Sequence, residues 1–501
     1  MIRLKSLYIP DYKILKDFRL DFEGRQTVTV LLGTNGAGKS TVLECLAWIV
    51  RGLHEKYLHK QKPVLPFELE LRYEIGSIVR TELTAQTWEE IMLTPVIVTG
   101  SKGRDDYELD LAWIISEDDN KPLLLGYPDT EEELIKQLPN LAVYYSGLSE
   151  TIEHIYTEYE SKQLDSSWRK LQQDAATYSR ATSLPLYYLQ RNDFPLLLAA
   201  LFAFEVNFGL DDFFKQRMRG LQKPNGICIT ITVKRPAYYA SSRAAKISKQ
   251  LAAEGEVDFW GTEGLLRQFL QQLSILATDK QEVSGEATYT YQFDIAAWYK
   301  LREENNSEHN ILALLLLLRA NDTLSDIKVV YQRNDLMALH NTLSEGEQQL
   351  LLVRALNELL VEERTIILLD EPDTFLHPQW QEKFIDEIEP FTKEASFIIT
   401  THSPVILTHI SQGNIIQMTY GKGQQLQNHV FGQRYADALI NYMVNTPRPA
   451  KVEAELNMVF SLIELENWAE AKIKLNDLRE QLGAHDADIV RAEKMIRLFG
   501  E

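Results

Sequence analysis

The octapeptide GTNGAGKS, Gly33 to Ser40, constrains this chain more than any other stretch. It fits G-x-x-x-x-G-K-[ST] and lies between an apolar strand-like run, TVTVLL, and a helix-spaced run, STVLECLAWIVRGL. A strand that passes into a helix through such a turn forms a cradle for phosphates. Gly33, Gly36 and Gly38, with Asn35 between them, let backbone N–H groups converge on the anion, and the helix N-terminus adds the positive end of its dipole. Lys39 is expected to reach the β- and γ-phosphates, the Ser40 hydroxyl to ligate Mg²⁺, and Thr41 to follow beside the phosphates.

Three further segments complete such a site. TIILLDEP is a buried strand that ends in two acids. Asp370 is expected in the Mg²⁺ shell, through water, and Glu371 is placed to polarise an attacking water as general base. Asp-Glu-Pro also suits a helix start, and the P-loop in the same chain favours the chemical reading. In SFIITTHSP, His402 follows another buried strand, where an imidazole can hydrogen-bond a γ-phosphate. In TLSEGEQQLLLVRALNELL, Ser344 and Gly346 open a strong helix, a second anion-binding terminus.

Bulk properties exclude several classes. The 501 residues, 45% hydrophobic and 25% charged, can form two to four folded lobes. A net charge of −20 argues against indiscriminate nucleic-acid coating and against reliance on anionic lipid. Two cysteines, Cys45 and Cys228, make neither a disulfide framework nor a zinc site, and suit a reducing cytosol. The start, MIRLKSLYIP, lacks a signal-peptide core, and ILALLLLLRA is too short to span a bilayer and reads as a buried helix. The expectation is a soluble cytoplasmic protein with no membrane partner.

Strand patterns at RLKSLYI, FRLDF, FELELRYEI, VIVTG and YELDLAWIIS surround the P-loop segment. From about Ser149 the chain turns to helices, TIEHIYTEYESKQLDSSWRKLQQDA above all, with strands PLYYLQ, ICITITV and TYTYQFD interspersed. After Pro447 three helical patterns follow, broken at ENW and LGAHD. No long heptad array or repeat is evident.

Together the four motifs resemble those of an ABC-type ATPase head of the SMC/RecF/OLD group, often described as AAA ATPases. Leu-Ser-Glu-Gly-Glu departs from that group's Leu-Ser-Gly-Gly-Gln signature at Glu345 and Glu347, but Ser344 and Gly346 match its phosphate-facing members. Leu376, His377 and Pro378 match the group's usual ending after Asp-Glu-Pro. The resemblance implies an α/β head, with mixed sheet and helices, that is split by a large α+β insertion and followed by a helical tail. The expected parts are residues 1–101 and 324–446 for the head, 102–323 for the insertion and 447–501 for the tail. It also implies ATP and Mg²⁺ as ligands, and a head-to-tail dimer or higher oligomer in which the Ser344 loop of one copy closes over the ATP of another. No residue is assignable to adenine stacking or to the Q-loop; Gln61 is the nearest candidate.

The insertion carries no Cys-x-x-Cys hook, and the stretch after His402 is too short and too helical for a Toprim nuclease. The layout resembles ATPase subunits of anti-phage systems, nearest the PtuA-type of Septu and retron systems, which work with an HNH nuclease. The AriA-type of PARIS systems, paired with a Toprim nuclease, comes next. The resulting expectation is an ATP-hydrolysing subunit that controls a separate nuclease effector in phage defence. The alternative is a RecF-like repair ATPase acting directly on DNA; a transporter subunit fits less well, given Leu-His-Pro and the insertion. The tail helices either dock a partner or cover the head. Lys234, Arg235, Arg243, Lys246 and Lys249, with Tyr238 and Tyr239, either contact nucleic-acid phosphates or form a solvated face.

Overall fold

Long apolar runs without alternation, such as VTVLL, TIILLD and SFIITT, belong in strands covered on both faces. In the computed structural model of the chain they lie in the middle of a seven-stranded sheet. The structure describes residues 1–22, 27–83, 86–103, 107–118, 121–146, 150–159, 186–235, 246, 259–262, 264–283, 288–361, 364–410, 413–426, 430–443 and 449–499. The chain divides into two compact units, Met1–His429 and Val430–Glu501.

In the first unit the sheet order is Lys422–Gln425, Asn414–Thr419, Val28–Leu32, Ser396–Thr401, Thr365–Asp370, Asn140–Tyr145 and Leu186–Leu189. Every neighbouring pair is parallel except the hairpin of Asn414–Thr419 with Lys422–Gln425. Ligands of such sheets bind beyond the carboxyl ends of the strands. The register puts those ends side by side, with Leu32 opposite Thr401 and Asp370 opposite Thr400 and Tyr145. Asn140–Tyr145 and Leu186–Leu189 fall inside the stretch expected as an insertion, so the head sheet draws strands from within it.

A six-stranded antiparallel sheet runs Leu15–Asp21, Ile2–Tyr12, Leu69–Leu83, Gln86–Lys102, Tyr107–Asp118 and Lys121–Gly126. It is tied to the parallel sheet by the Ser396 hydroxyl, which donates to the Ile2 carbonyl at 2.7 Å. A third, antiparallel sheet holds Asp279–Val283, Thr288–Asp294, Ile227–Lys234, Leu324–Arg333 and Leu336–Leu339. The leucine-rich run expected to be a buried helix is the helix Glu308–Ala320, with Ile311, Leu312, Leu315 and Leu318 in the core. Ser307 caps it by accepting from the Asn310 N–H. Among the described residues no helix is long and apolar enough to cross a membrane. Cys45 and Cys228 are free and buried.

The second unit contains the helices Tyr435–Met443, Ala450–Glu464, Trp468–Leu482 and Ala487–Phe499. The last three form their own core, from Leu456, Val459 and Ile463 through Leu475 and Leu478 to Ile489 and Ile496. Those positions recur at three- and four-residue spacing, the stripe of an amphipathic helix.

The helix that leaves the P-loop, Lys39–Leu53, ends on a buried ion cluster. The Arg51 guanidinium donates to Glu55 at 2.9 Å and to the Ile155 carbonyl at 2.9 Å, and lies 2.8 Å from Glu158. Arg51 and Glu55 are both buried, so removing one partner leaves a charge without its counterion. We predict that Arg51→Met costs about 3–5 kcal/mol in urea unfolding. Adding Glu55→Gln to it should recover part of that loss.

Candidate active site

Gly33 leaves the strand Val28–Leu32 so close to its neighbour that a Cβ would sit 2.5 Å from the Met418 carbonyl oxygen. Only glycine fits there. Gly38 has φ +104° and caps the helix Lys39–Leu53, a left-handed conformation that L side chains rarely adopt. Two hydrogen bonds close the turn, from Ala37 N–H to Thr34 O and from Gly421 N–H to Ala37 O. Asn35 and Gly36 are exposed on the outside of the loop, and Thr41 is half-buried on the first helical turn.

Lys39 is buried and bends back over its own loop. Its ammonium donates to Gly33 O at 2.9 Å and lies 3.4 Å from Thr34 O and 2.8 Å from His402 Nε2. Burial lowers the Lys39 pKa, while the charges of Glu371 and Asp370 act to raise it. His402 Nε2 is also 3.1 Å from Glu371 Oε1. Burial and the Lys39 charge lower the His402 pKa against the pull of Glu371. The neutral ring so favoured has one nitrogen lone pair, which at Nε2 accepts from Lys39.

Asp370 ends the strand Thr365–Asp370 and is buried. Its Oδ1 accepts from Thr400 Oγ1 at 2.7 Å and from Ser40 Oγ at 3.2 Å. Burial raises its pKa, opposed chiefly by the Thr400 hydrogen bond. Glu371 follows at φ +46°, with its N–H donating to Thr400 O and Oγ1. That backbone turn takes the Glu371 side chain out of the buried strand and leaves it partly exposed.

Mg²⁺ fits the donor set. Ser40 Oγ and Asp370 Oδ1 are hard oxygen donors within reach of each other. Among the described residues no cluster of three or more His, Cys, Asp or Glu side chains could hold an ion alone. Mg²⁺ suits such a sparse site, because it keeps several waters and takes one or two carboxylates plus substrate phosphates.

The structure thus brings Lys39, Ser40, Asp370, Glu371 and His402 into one contact network. Ser344 and Gly346 stand outside those contacts. Ser344 is exposed and caps the helix Glu345–Leu360 in a capping box with Glu347, which also pairs with Arg333 at 3.0 Å. Gly346 lies against the turn after Glu371, where a Cβ would meet Phe375 O at 3.0 Å and the Trp380 ring at 3.1 Å. Gln61 is exposed, and its N–H donates to Glu55 O. Of the basic cluster, Lys234 pairs with Asp322 at 2.6 Å, whereas Tyr238, Tyr239, Arg243 and Lys249 lie outside the described residues. Leu-His-Pro has a local role: Leu376 is buried, His377 caps the short helix Pro378–Gln381, and Pro378 takes its first position.

Two site residues escaped sequence reasoning. Thr400 holds both Asp370 and the Glu371 backbone, yet reads in sequence as one more strand threonine. Asp373 is buried, and its Oδ1 has no hydrogen-bond partner. The only available signal was a third acid in the DEPD run.

Two family models match the chain. Residues 234–408 match one described as "AAA domain, putative AbiEii toxin, Type IV TA system", and residues 6–62 match one described as "AAA domain". The chain carries an AAA/ABC-like P-loop domain. One match holds the P-loop and the other holds Asp370, Glu371 and His402, the two halves that the contact network joins. Retron Ec83 probable ATPase of Escherichia coli is 33% identical over 102 residues, 19% of each chain. Retron Vc95 probable ATPase of Vibrio cholerae serotype O1 biovar El Tor is 40% identical over 50 residues, 10% of each. These matches therefore span less than a fifth of the curated relatives' length. Among solved structures, the Smc head domain bound to the C-terminal domain of ScpA from Pyrococcus furiosus aligns at 13% identity and TM-score 0.31, over 85% of this chain and 96% of that one. RecF with ATPrS, from the RecFOR pathway, aligns at 13% and 0.33, over 85% and 98%.

Burial pushes the Asp373 carboxyl up to about 6, against a hydrogen bond from Thr401 and with help from the Glu371 and Asp370 charges. The folded protein therefore holds this proton more tightly than the unfolded chain does. The group favours folding fully below the unfolded pKa, and that contribution is lost as pH rises through about 6. We predict that Asp373→Asn raises stability at about pH 8 by on the order of 2–3 kcal/mol relative to its effect at about pH 4. Urea unfolding of both proteins at the two pH values checks this.

Proposed function

We propose that the chain binds ATP with Mg²⁺ beyond the ends of the three central strands and hydrolyses it. In this reading it is the ATPase subunit of a phage-defence complex that controls a separate nuclease effector. The observation that carries the ATPase reading is the contact network: His402 lies 2.8 Å from Lys39 and 3.1 Å from Glu371, Ser40 lies 3.2 Å from Asp370, and Thr400 joins the two sets through Asp370 and the Glu371 N–H. Similarity to two retron ATPases supports the defence setting.

The P-loop N–H groups and the helix terminus bind the phosphates. Lys39 exchanges its loop carbonyls and His402 for the β/γ-phosphate oxygens, a stronger, charge-assisted contact. Ser40 and Asp370 would hold Mg²⁺, which would supply neutralisation of phosphate charge. Once Lys39 has turned to the nucleotide, the His402 Nε2 lone pair is free, and with a proton on that nitrogen the ring donates to the γ-phosphate. Glu371, the partly exposed acid of the pair, accepts the proton of the attacking water. Asp370 is buried and already accepts two hydrogen bonds, so it is the poorer base.

Two copies would meet head to tail, with the exposed Ser344–Gly346 terminus of one over the nucleotide of the other. The second unit would dock the effector, an HNH or Toprim nuclease, since its core comes from its own three helices and its surface carries Met458, Leu465, Ile473 and Leu498 exposed.

Glu371→Gln is expected to keep ATP binding, lower turnover on the order of 10²–10³-fold and accumulate the closed dimer. Unchanged hydrolysis would remove Glu371 as the base. Lys39→Ala should weaken ATP binding at least about tenfold in a direct titration. Co-purification from the native operon should recover the nuclease with the full chain and lose it when the chain is cut after Pro447; a complex that survives the cut rules out docking by the tail.

A further inference from the structure

Glu371 sits at φ +46°, a conformation that costs a non-glycine residue on the order of 1 kcal/mol or more and persists only where the surroundings over-determine it. On its N-terminal side the Thr400 backbone and hydroxyl hold the Glu371 N–H. On its C-terminal side two glutamine side chains hold the turn. Gln349 Nε2 donates to Pro372 O at 2.9 Å, and Gln381 Nε2 donates to Asp373 O and Leu376 O, each at 3.1 Å.

Both amides are oriented by a hydroxyl. Tyr144 donates to Gln349 Oε1 at 2.6 Å, and Ser403 donates to Gln381 Oε1 at 2.8 Å. Neither amide can flip without losing both kinds of bond. Their positions matter more than their bonds. Gln349 stands three residues after Gly346 on the helix Glu345–Leu360, so both face the same turn. Ser403 follows His402 directly, and its oxygen also accepts from the Val405 and Ile406 N–H groups, which fixes it in place.

We propose that Gln349 and Gln381 are positioning residues that clamp the turn after Glu371 between the Ser344–Gly346 helix and the His402 loop. Through Gln349 a displacement of that helix reaches the carbonyl next to Glu371. Through Gln381 and Ser403 a displacement of His402 reaches the same turn from its other side. The base is thereby held in line only when both neighbours are in register. This rests on the reading of Glu371 as the hydrolytic base.

The test uses the full chain and measures ATP turnover alongside equilibrium binding of a non-hydrolysable ATP analogue, which also reports folding. Gln349→Met and Gln381→Met, close in volume but without polar atoms, are each expected to lower kcat roughly 10- to 100-fold, as small misplacements of a reacting group do. KM and analogue affinity should stay within about threefold, because the phosphate cradle is untouched. Gln381→Glu, which turns an accepting carboxylate toward two carbonyls, should lower kcat at least as far with KM kept. Because Gln381 acts through Ser403, the double variant Gln381→Met/Ser403→Ala should lose no more than the worse single variant. Wild-type kcat in the glutamine variants, or losses that multiply in the double variant, would overturn the clamp while Glu371→Gln remained inactive. Wild-type turnover of Glu371→Gln itself would overturn the hydrolytic reading, and the clamp with it.

Discussion

The whole site depends on parallel pairing of three strands that are far apart in the chain, Val28–Leu32, Ser396–Thr401 and Thr365–Asp370. Side chains in a sheet alternate faces with a period of two, so a one-residue slip would turn each strand's last side chain to the opposite face. The pairing Asp370↔Thr400 is what lets the Thr400 hydroxyl reach both the Asp370 carboxylate and the Glu371 N–H. Ile366, Ile367, Leu368, Phe397, Ile398 and Ile399 are buried on both faces and hold the strands in the core, while the polar contacts of Thr400 with Asp370 and Glu371 are specific to this register.

Those polar groups set one ammonium, Lys39, among two carboxylates, Asp370 and Glu371, and an imidazole. The desolvation of Lys39 is opposed by the neighbouring Glu371 and Asp370 charges, and its ammonium donates to the Gly33 carbonyl. His402 lies between Lys39 and Glu371, and a single nitrogen serves both contacts. A neutral imidazole can accept from the lysine but cannot then donate from the same atom to the carboxylate. Under the proposed function, a phosphate that took the lysine would free the Nε2 lone pair, and a proton at Nε2 would then let the ring donate to an anion.

Much of the site was legible because its chemistry resides in contiguous motifs: GTNGAGKS, the acids after TIILL and the histidine after SFIITT each sit where their strand ends. The α/β head and the helical C-terminal segment were legible for the same reason, from runs whose periodicity is local. What escaped was nonlocal. Asn140–Tyr145 pairs with Thr365–Asp370 across a long stretch of chain, and no feature of NLAVYY names its partner. Tyr144 and Tyr145 are the end of that strand, and Tyr144 is buried against Gln349. Thr400, Gln349 and Gln381 are common residues in a strand and two helices, and only the register turns them toward Glu371. Leu-His-Pro carried a family resemblance in the sequence; in the structure it is a buried leucine, a cap and a helix-starting proline.

Glu347 in the signature segment has a physical reading as well. Glu347 is the third helical residue after the Ser344 cap, and its carboxylate accepts from the Ser344 N–H and hydroxyl while Arg333 neutralises it. A glutamine there could complete the same box without charge. With glutamate the helix terminus gains a carboxylate on its positive dipole end, which stabilises the helix but competes with any external anion for the same N–H groups. Arg333 offsets that competition by drawing the charge of Glu347 toward the strand Leu324–Arg333. For Ser344 to meet a phosphate, its hydroxyl must give up Glu347 Oε2, and the Arg333 contact lets that carboxylate remain paired when it does. The departure from the usual signature is therefore compatible with an anion-binding terminus through a partner strand, not through the loop itself.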